Sequence, residues 1–281
     1  MIYQSQNLPK YVIDDSNWKT EADDSIPDQL GMSKGYIERE APYGQGFCAP
    51  FDPDWLIPEV EWKERIKDRE HPDNNLTNKY LREYINIPSL DQNGTNYCWA
   101  HGPTCCMQLV QVQTGEVLRP LSAASIAAPI KNFQNVGGWG QQAVQYMAKN
   151  GINEVVDWPL NKIDRKLWTP ENKEKAKLNL VTEWIDVKQK DFNQLVSLLL
   201  RGIPCAVAYM WWRHLVTAID VVLVDGEICI LIWNSWTDNW GDRGMSILRG
   251  SKKYPDEGVA PLVRRPRFST PDLVLPPSVA V

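Results

Sequence analysis

Hydrophobic and polar residues follow two different styles along this chain, and the change falls near residue 90. Up to about residue 85, Pro, Asp, Asn and Trp are scattered without sustained periodicity, as in Asp14-Asp15-Ser16-Asn17-Trp18 and Ala41-Pro42-Tyr43-Gly44-Gln45-Gly46. Turn formers break any helical or strand repeat, so residues 1–85 read as an arm of loop and extended chain. Helices are expected there from Trp55 to Asp68 and around Thr77 to Tyr84. Three roles suit such an arm: a cover over the core, an inhibitory segment, or a docking surface.

From Gln92 the pattern tightens. The turn-rich stretch Asp91-Gln92-Asn93-Gly94-Thr95-Asn96-Tyr97 leads into Cys98-Trp99-Ala100 and then apolar Met107, Leu109 and Val110, which predicts a helix following Cys98. A second is expected over Gln141–Lys149, opened by Gly137-Gly138-Trp139-Gly140 and ended by Asn150-Gly151. Charged residues 170–178 suggest a surface helix, and Asp191 is placed to cap Phe192–Arg201, with Gly202 as the stop. Strands are predicted at Ile203–Met210, His214–Val224, Glu227–Trp233 and Met245–Leu248. Asp225-Gly226 between two apolar runs is a hairpin signal. Helices first and antiparallel strands second give an α+β chain with two lobes, followed by a Pro-rich extended tail over 259–281.

Composition narrows this picture. A chain of 281 residues can bury a full core. A net charge of -5 argues against a dedicated nucleic-acid binder. No apolar run approaches the roughly 20 residues of a membrane span, and the first residues lack the basic and apolar regions of a signal peptide. The expectation is a chain kept in the cytoplasm or carried in a particle, without nucleic-acid or membrane partners. The 13 tryptophans point to an aromatic groove or a heavy core. Six cysteines are too few to staple a chain of this size, and Cys205 and Cys229 read as small buried hydrophobes. Reduced cysteines are expected.

Cys98 stands apart, because a thiol at a helix N-terminus meets unpaired N–H groups and the positive end of the dipole. Thiol chemistry also needs a base, a group orienting that base, and donors for an oxyanion. Of three histidines, His71 precedes a proline in a charged loop and reads as solvated surface. His214 opens a long apolar strand after Trp211-Trp212-Arg213. A lone histidine of that kind is more often structural; what changes the reading is Asn234-Ser235-Trp236 and Trp240-Gly241 further on. Zinc at Cys98, His101, Cys105 and Cys106 is disfavoured, because adjacent cysteines on one helix cannot readily share a tetrahedral site with the others. No metal or organic cofactor is implied.

At these residues the chain resembles the papain family (C1-type) of cysteine peptidases. Gln92 six residues before Cys98-Trp99-Ala100, paired Gly137-Gly138, His214 before a strand and hairpin, then Asn234-Ser235-Trp236 and Trp240-Gly241 follow that family's order over roughly residues 86 to 255. The resemblance implies a papain-like fold over 86–258, a helical lobe against an antiparallel sheet or barrel lobe, flanked by the 1–85 arm and the 259–281 tail. It implies that Cys98 attacks a peptide carbonyl as a thiolate paired with His214, that Asn234 orients the imidazole, and that Trp236 shields their bond. Gln92 and the Cys98 N–H would form the oxyanion hole, with Gly137, Gly138 and Trp139 lining the cleft for a peptide or protein substrate.

Three departures stand out. His101-Gly102-Pro103 follows Cys-Trp-Ala where the family usually has an aromatic residue, and Pro103 predicts a later helix start or a kink. Arg213 replaces an acidic or small residue before the histidine. Thr95 and Asn135-Val136 stand where a cysteine pair is usual, a joint loss that a reducing compartment permits. Two other readings keep the same body: an assembly component, for example of a viral particle, held through its terminal arms, and an acyl-transfer enzyme or amidase acting on cell-wall peptides.

Overall fold

The computed structural model describes residues 8–23, 32–46 and 48–264. Along the chain come β1 (Val12–Ile13), α1 (Trp18–Ala22), α2 (Glu59–Glu70), α3 (Asn78–Ile85), α4 (Cys98–Gln113), α5 (Ala124–Ile130) and α6 (Gly140–Asn150). Then follow α7 (Pro170–Ala176), β2 (Val181–Val187), α8 (Phe192–Leu200), β3 (Cys205–Tyr209), β4 (His214–Val224), β5 (Glu227–Trp233), β6 (Met245–Leu248) and β7 (Glu257–Arg264).

The apolar runs of the second half pair into one seven-stranded sheet in the order β1-β6-β5-β4-β3-β7-β2. All neighbours are antiparallel except β1 and β6. The β4–β5 hairpin turns through Asp225 and Gly226, both at positive φ (51° and 77°), the conformation that Asp-Gly turns supply. Side chains of β3 alternate between two cores, as a pleated strand requires. Cys205, Val207 and Tyr209 join the cluster of α2 and α8, while Ala206 and Ala208 join the cluster of α4 and α6. With both faces covered, β4 is buried from His214 to Val222 and reads as a continuous apolar run. Its position in the middle of the sheet fixes where His214 stands.

The residues 1–85 arm is more structured than its composition suggested. Trp62 and Ile66 of α2 are buried against α8, so the arm completes one face of the sheet. The expected helix from Trp55 splits into a short 3-10 turn at Pro53–Trp55 and α2 from Glu59, because Pro58 interrupts the backbone N–H series and takes the N-cap position. α3 starts where Thr77 accepts from the Tyr80 N–H, and the buried Asp220 of β4 accepts from Asn78 N (3.1 Å) and Lys79 N (2.8 Å). Between these elements, Arg39 reaches into the body: its guanidinium lies 2.5 and 2.7 Å from the two carboxylate oxygens of Asp186, with both side chains 1% exposed.

The tail expected over 259–281 begins instead as an interior strand. β7 runs to Arg264 between β3 and β2, so the sheet continues past residue 258; the rest of the tail lies outside the described residues. Pro261 hid it, since proline argues against a central strand. Pro261 stands opposite Trp184, beside a register irregularity in β2 that accommodates the missing donor. The strand β2 and the short helix α5 were also not apparent from the pattern.

Replacing Arg39 by Met should leave Asp186 as an uncompensated buried charge and cost about 3–5 kcal/mol of stability in urea unfolding. A loss below about 1 kcal/mol would mean that the pair contributes little.

Candidate active site

Helix α4 starts at Cys98, with Tyr97 as N-cap, and is buried along nearly its whole length. The expected delay at Pro103 does not occur: α4 begins at Cys98 and is continuous through Pro103, and the neighbouring Gly102 packs against β4. A Cβ on Gly102 would come within 2.2 Å of Leu215 Cδ2 and 3.3 Å of the Val216 carbonyl oxygen, so a side chain there would require the Leu215 side chain to move. Thr217 Oγ1 of β4 donates to the Gly102 carbonyl (3.0 Å) and pins the contact. This seating carries the start of α4 to the start of β4: the main-chain N–H groups of Leu215 and Trp99 flank the Cys98 sulfur.

His214, the residue before Leu215, is fully buried, and its Nε2 lies 2.8 Å from Asn234 Oδ1. That same oxygen accepts from the Ser235 N–H (2.8 Å), which fixes it as the acceptor and makes Nε2 the protonated ring nitrogen. The neutral ring therefore leaves Nδ1 as a bare lone pair, and Nδ1 has no hydrogen-bond partner among the described residues. Trp236 stacks on the imidazole with centroids 4.3 Å apart, while Trp212 meets it edge-on at 5.0 Å and Trp240 closes against both tryptophans. The aromatic box keeps water from the His214–Asn234 bond.

Gln92 is fully buried on the other side of Cys98's loop. Its N–H donates to the Ser235 carbonyl (3.0 Å), its Nε2 donates to the Thr95 carbonyl (2.8 Å), and its Oε1 accepts from Ser235 Oγ (2.8 Å). Ser235 thus serves both Asn234 and Gln92, a role the sequence reading missed, although the residue stands inside the Asn-Ser-Trp block.

Gly137 and Gly138 form a ledge next to this cluster, and neither tolerates a side chain. A Cβ on Gly138 would come within 2.7 Å of the Trp99 ring, and one on Gly137 within 2.5 Å of the Gly35 carbonyl. Trp139 follows as N-cap of α6, half-buried, its indole under the Lys131 ammonium.

The Gly35 contact reveals what composition could not: part of the arm lies in the cleft. Gly138 N donates to Gly35 O (2.9 Å), Ile37 N to Gly138 O (3.0 Å) and Tyr36 N to Arg213 O (3.0 Å). Gln92 Nε2 donates to Ser33 O (2.5 Å), joined by Trp236 Nε1 at 3.3 Å. Arg213, at φ 51°, thereby contributes its carbonyl to the cleft. The phenol of Tyr36 is buried, and burial together with the nearby Glu257 carboxylate holds it protonated.

Electrostatics follow from this cover. Burial pushes the Cys98 thiol up to about 12, outweighing the N–H groups of Leu215, Gly35, Trp99 and Tyr36 that favour thiolate. Burial likewise pushes the His214 ring down to about 3, against the opposing pull of Asn234. With the cleft covered, the two groups stand as neutral thiol and neutral imidazole. The other four buried cysteines and Cys48 are free thiols also pushed upward by burial.

No family model matches the chain. Its fold is nevertheless that of papain-like peptidases: it superposes on the digestive procathepsin L2 proteinase of the Tenebrio molitor larval midgut with a TM-score of 0.62, at 16% identity over 92% of this chain and 86% of that one. Procathepsin L 3 from the same tissue gives 0.59 at 15% identity, over 88% and 89% of the two chains. In sequence it is similar to zingipain-2 of Zingiber officinale, 23% identical over 60% of this chain and 85% of zingipain-2. Chymopapain of Carica papaya is 24% identical over 64% of this chain and 59% of its own length. Cysteine proteinase 2 of Entamoeba histolytica is 29% identical over 38% and 40% of the two chains. The chain thus has a papain-like fold and is similar in sequence to proteins named as cysteine proteinases.

His101, one turn into α4, is a second buried neutral histidine. Burial pushes its ring down to about 4, and the Asn161 side chain offers only a weak pull toward the charged form. The unfolded chain takes up a proton at this residue near pH 6.5, whereas the folded chain resists until about 4, so acid favours unfolding. The stability of His101→Gln relative to wild type should therefore rise by roughly 1.4 kcal/mol per pH unit as pH falls through that window. A pH-independent difference in urea unfolding would contradict the neutral ring.

Proposed function

We propose that the chain hydrolyses peptide bonds with Cys98 as nucleophile and His214 as its base. The observation that carries this reading is the fixed tautomer of His214: the Asn234 oxygen holds Nε2–H, leaving Nδ1 free to accept a proton at the end of β4 that flanks Cys98. Proton transfer from Sγ to Nδ1 creates the thiolate, which adds to the substrate carbonyl carbon. The resulting oxyanion is stabilised by the Gln92 amide and the Cys98 N–H, one of the first-turn groups of α4 without an intrahelical acceptor. The imidazolium then protonates the leaving amine, and water attacks the thioester to regenerate the thiol. The sulfur and its base need no metal for this sequence.

Gly137 and Gly138 offer a ledge for the substrate main chain, and Trp139 and Trp236 border it. The way the arm's own backbone pairs with Gly138 supports a peptide as the class of ligand this ledge accepts. The relatives' names as cysteine proteases point the same way. No observation favours the assembly role or the cell-wall acyl transfer. Among the described residues no helix is long and apolar enough to cross a membrane.

Because the arm covers the cleft, hydrolysis is best measured on the full chain carrying Gly35→Ala, whose new Cβ would stand 2.0 Å from the Asn96 carbonyl oxygen. In that background Cys98→Ala should reduce cleavage of a fluorogenic peptide to background, and Gln92→Ala should lower turnover by about 10²–10³-fold. Cleavage that survives Cys98→Ala would remove the assignment.

A further inference from the structure

We propose that Ser33–Ile37 is a retained strap, which leaves the cleft by local displacement while the chain on both sides of it stays attached to the body. The inference rests on the peptidase reading of the site and adds its regulation. The strap makes contacts a substrate would need. Its Ser33 carbonyl takes the Nε2 amide of Gln92, its Gly35 and Ile37 backbone groups pair with the Gly138 ledge, and Tyr36 fills the space beside them. Cys98 beneath is fully buried.

The N–H groups of Gly35 and Tyr36 lie beside the Cys98 sulfur, and the carbonyl held by Gln92 belongs to Ser33, two residues before Gly35 in the strap.

Its flanks are part of the fold. Upstream, β1 is the edge strand of the sheet, with Ile247 N donating to Tyr11 O and Arg249 N to Ile13 O, both at 3.0 Å. Downstream, Arg39 is locked to Asp186, Gly44 N donates to the same carboxylate (2.7 Å), and Ala49 N pairs with Trp184 O (2.8 Å). α2 then enters the core through Trp62 and Ile66. Cutting away everything up to Ile37 would remove an edge strand. Among the described residues, the strap meets the cleft through the main-chain hydrogen bonds of Ser33, Gly35, Tyr36 and Ile37 and through the buried Tyr36 side chain. Small openings of such a segment are expected to cost less than opening the sheet or the core.

Gly35 is the lever for a test, since a methyl group there collides with the Asn96 backbone at 2.0 Å and leaves every cleft residue unaltered. In full-length protein at neutral pH, Gly35→Ala should accelerate alkylation of Cys98 by iodoacetamide at least 10-fold over wild type, read by peptide mass mapping. Tyr36→Ala, which empties the seat without a clash, should act in the same direction. Hydrogen exchange on Gly35→Ala should show protection lost at Tyr36 and Ile37 and kept at the amides of Ile247, Arg249 and Ala49, the donors of the two anchorages.

Wild-type Cys98 that reacts as fast as in both variants would overturn the strap. Loss of protection at Ile247, Arg249 and Ala49 together with the strap would overturn its retention. Alkylation does not require peptide hydrolysis, so a variant that labels quickly yet cleaves nothing sustains the strap and defeats the peptidase reading instead.

Discussion

The contact between helix α4 and strand β4 at Gly102 is the constraint from which the rest of the site follows. With no side chain at Gly102, the helix settles onto Leu215, and Thr217 ties its backbone to the sheet. Cys98 at the helix start and His214 at the strand start are then neighbours by construction, because each is a fixed few residues from that contact. A larger residue at position 102 would require the Leu215 side chain to move. Gly102 thereby helps to set the spacing of Cys98 and His214, in a local sequence that departs from the family the chain resembles.

Around this contact the protein builds a dry, over-determined polar cluster. The Ser235 N–H fixes which atom of Asn234 is the oxygen, and the Ser33 and Thr95 carbonyls fix which end of Gln92 is the amide nitrogen, leaving its oxygen to the Ser235 hydroxyl. Three tryptophans wall the imidazole. Desolvation strengthens the electrostatic interactions of such a site and disfavours the charged forms of its members. The same burial that strengthens electrostatics in the cleft holds the thiol protonated and the ring neutral beneath the arm. Under the arm, burial therefore disfavours the thiolate and the imidazolium together.

Much of this was legible in the sequence. β4, β5 and β6 stand at their expected limits, because unbroken apolar runs and an Asp-Gly turn leave little choice of register or end. Asp191 caps α8 as its position before an apolar helix required. The ordered blocks around Gln92, Cys98, His214 and Asn234 drew attention to residues that the fold does bring together. What could not be read depends on contacts distant in sequence. Nothing near Tyr36 says that it pairs with Gly138, 102 positions away, since a Gly-Tyr pair in a polar arm has no periodicity to betray a partner. Pro261 disguised a strand by local propensity where tertiary pairing prevailed. Pro103 suggested a later helix start, yet α4 begins at Cys98 and runs on through the proline.

The central claim is that Cys98 and His214 act as one proton-transfer unit once the cleft is open. It is tested most directly by the pH dependence of Cys98 alkylation in the Gly35→Ala chain, with and without His214→Gln. The account predicts that reactivity persists to well below the roughly pH 8.5 at which an ordinary thiol ionises, and that this low-pH reactivity vanishes with His214→Gln. A single inflection near 8.5, unchanged by the loss of His214, would contradict it.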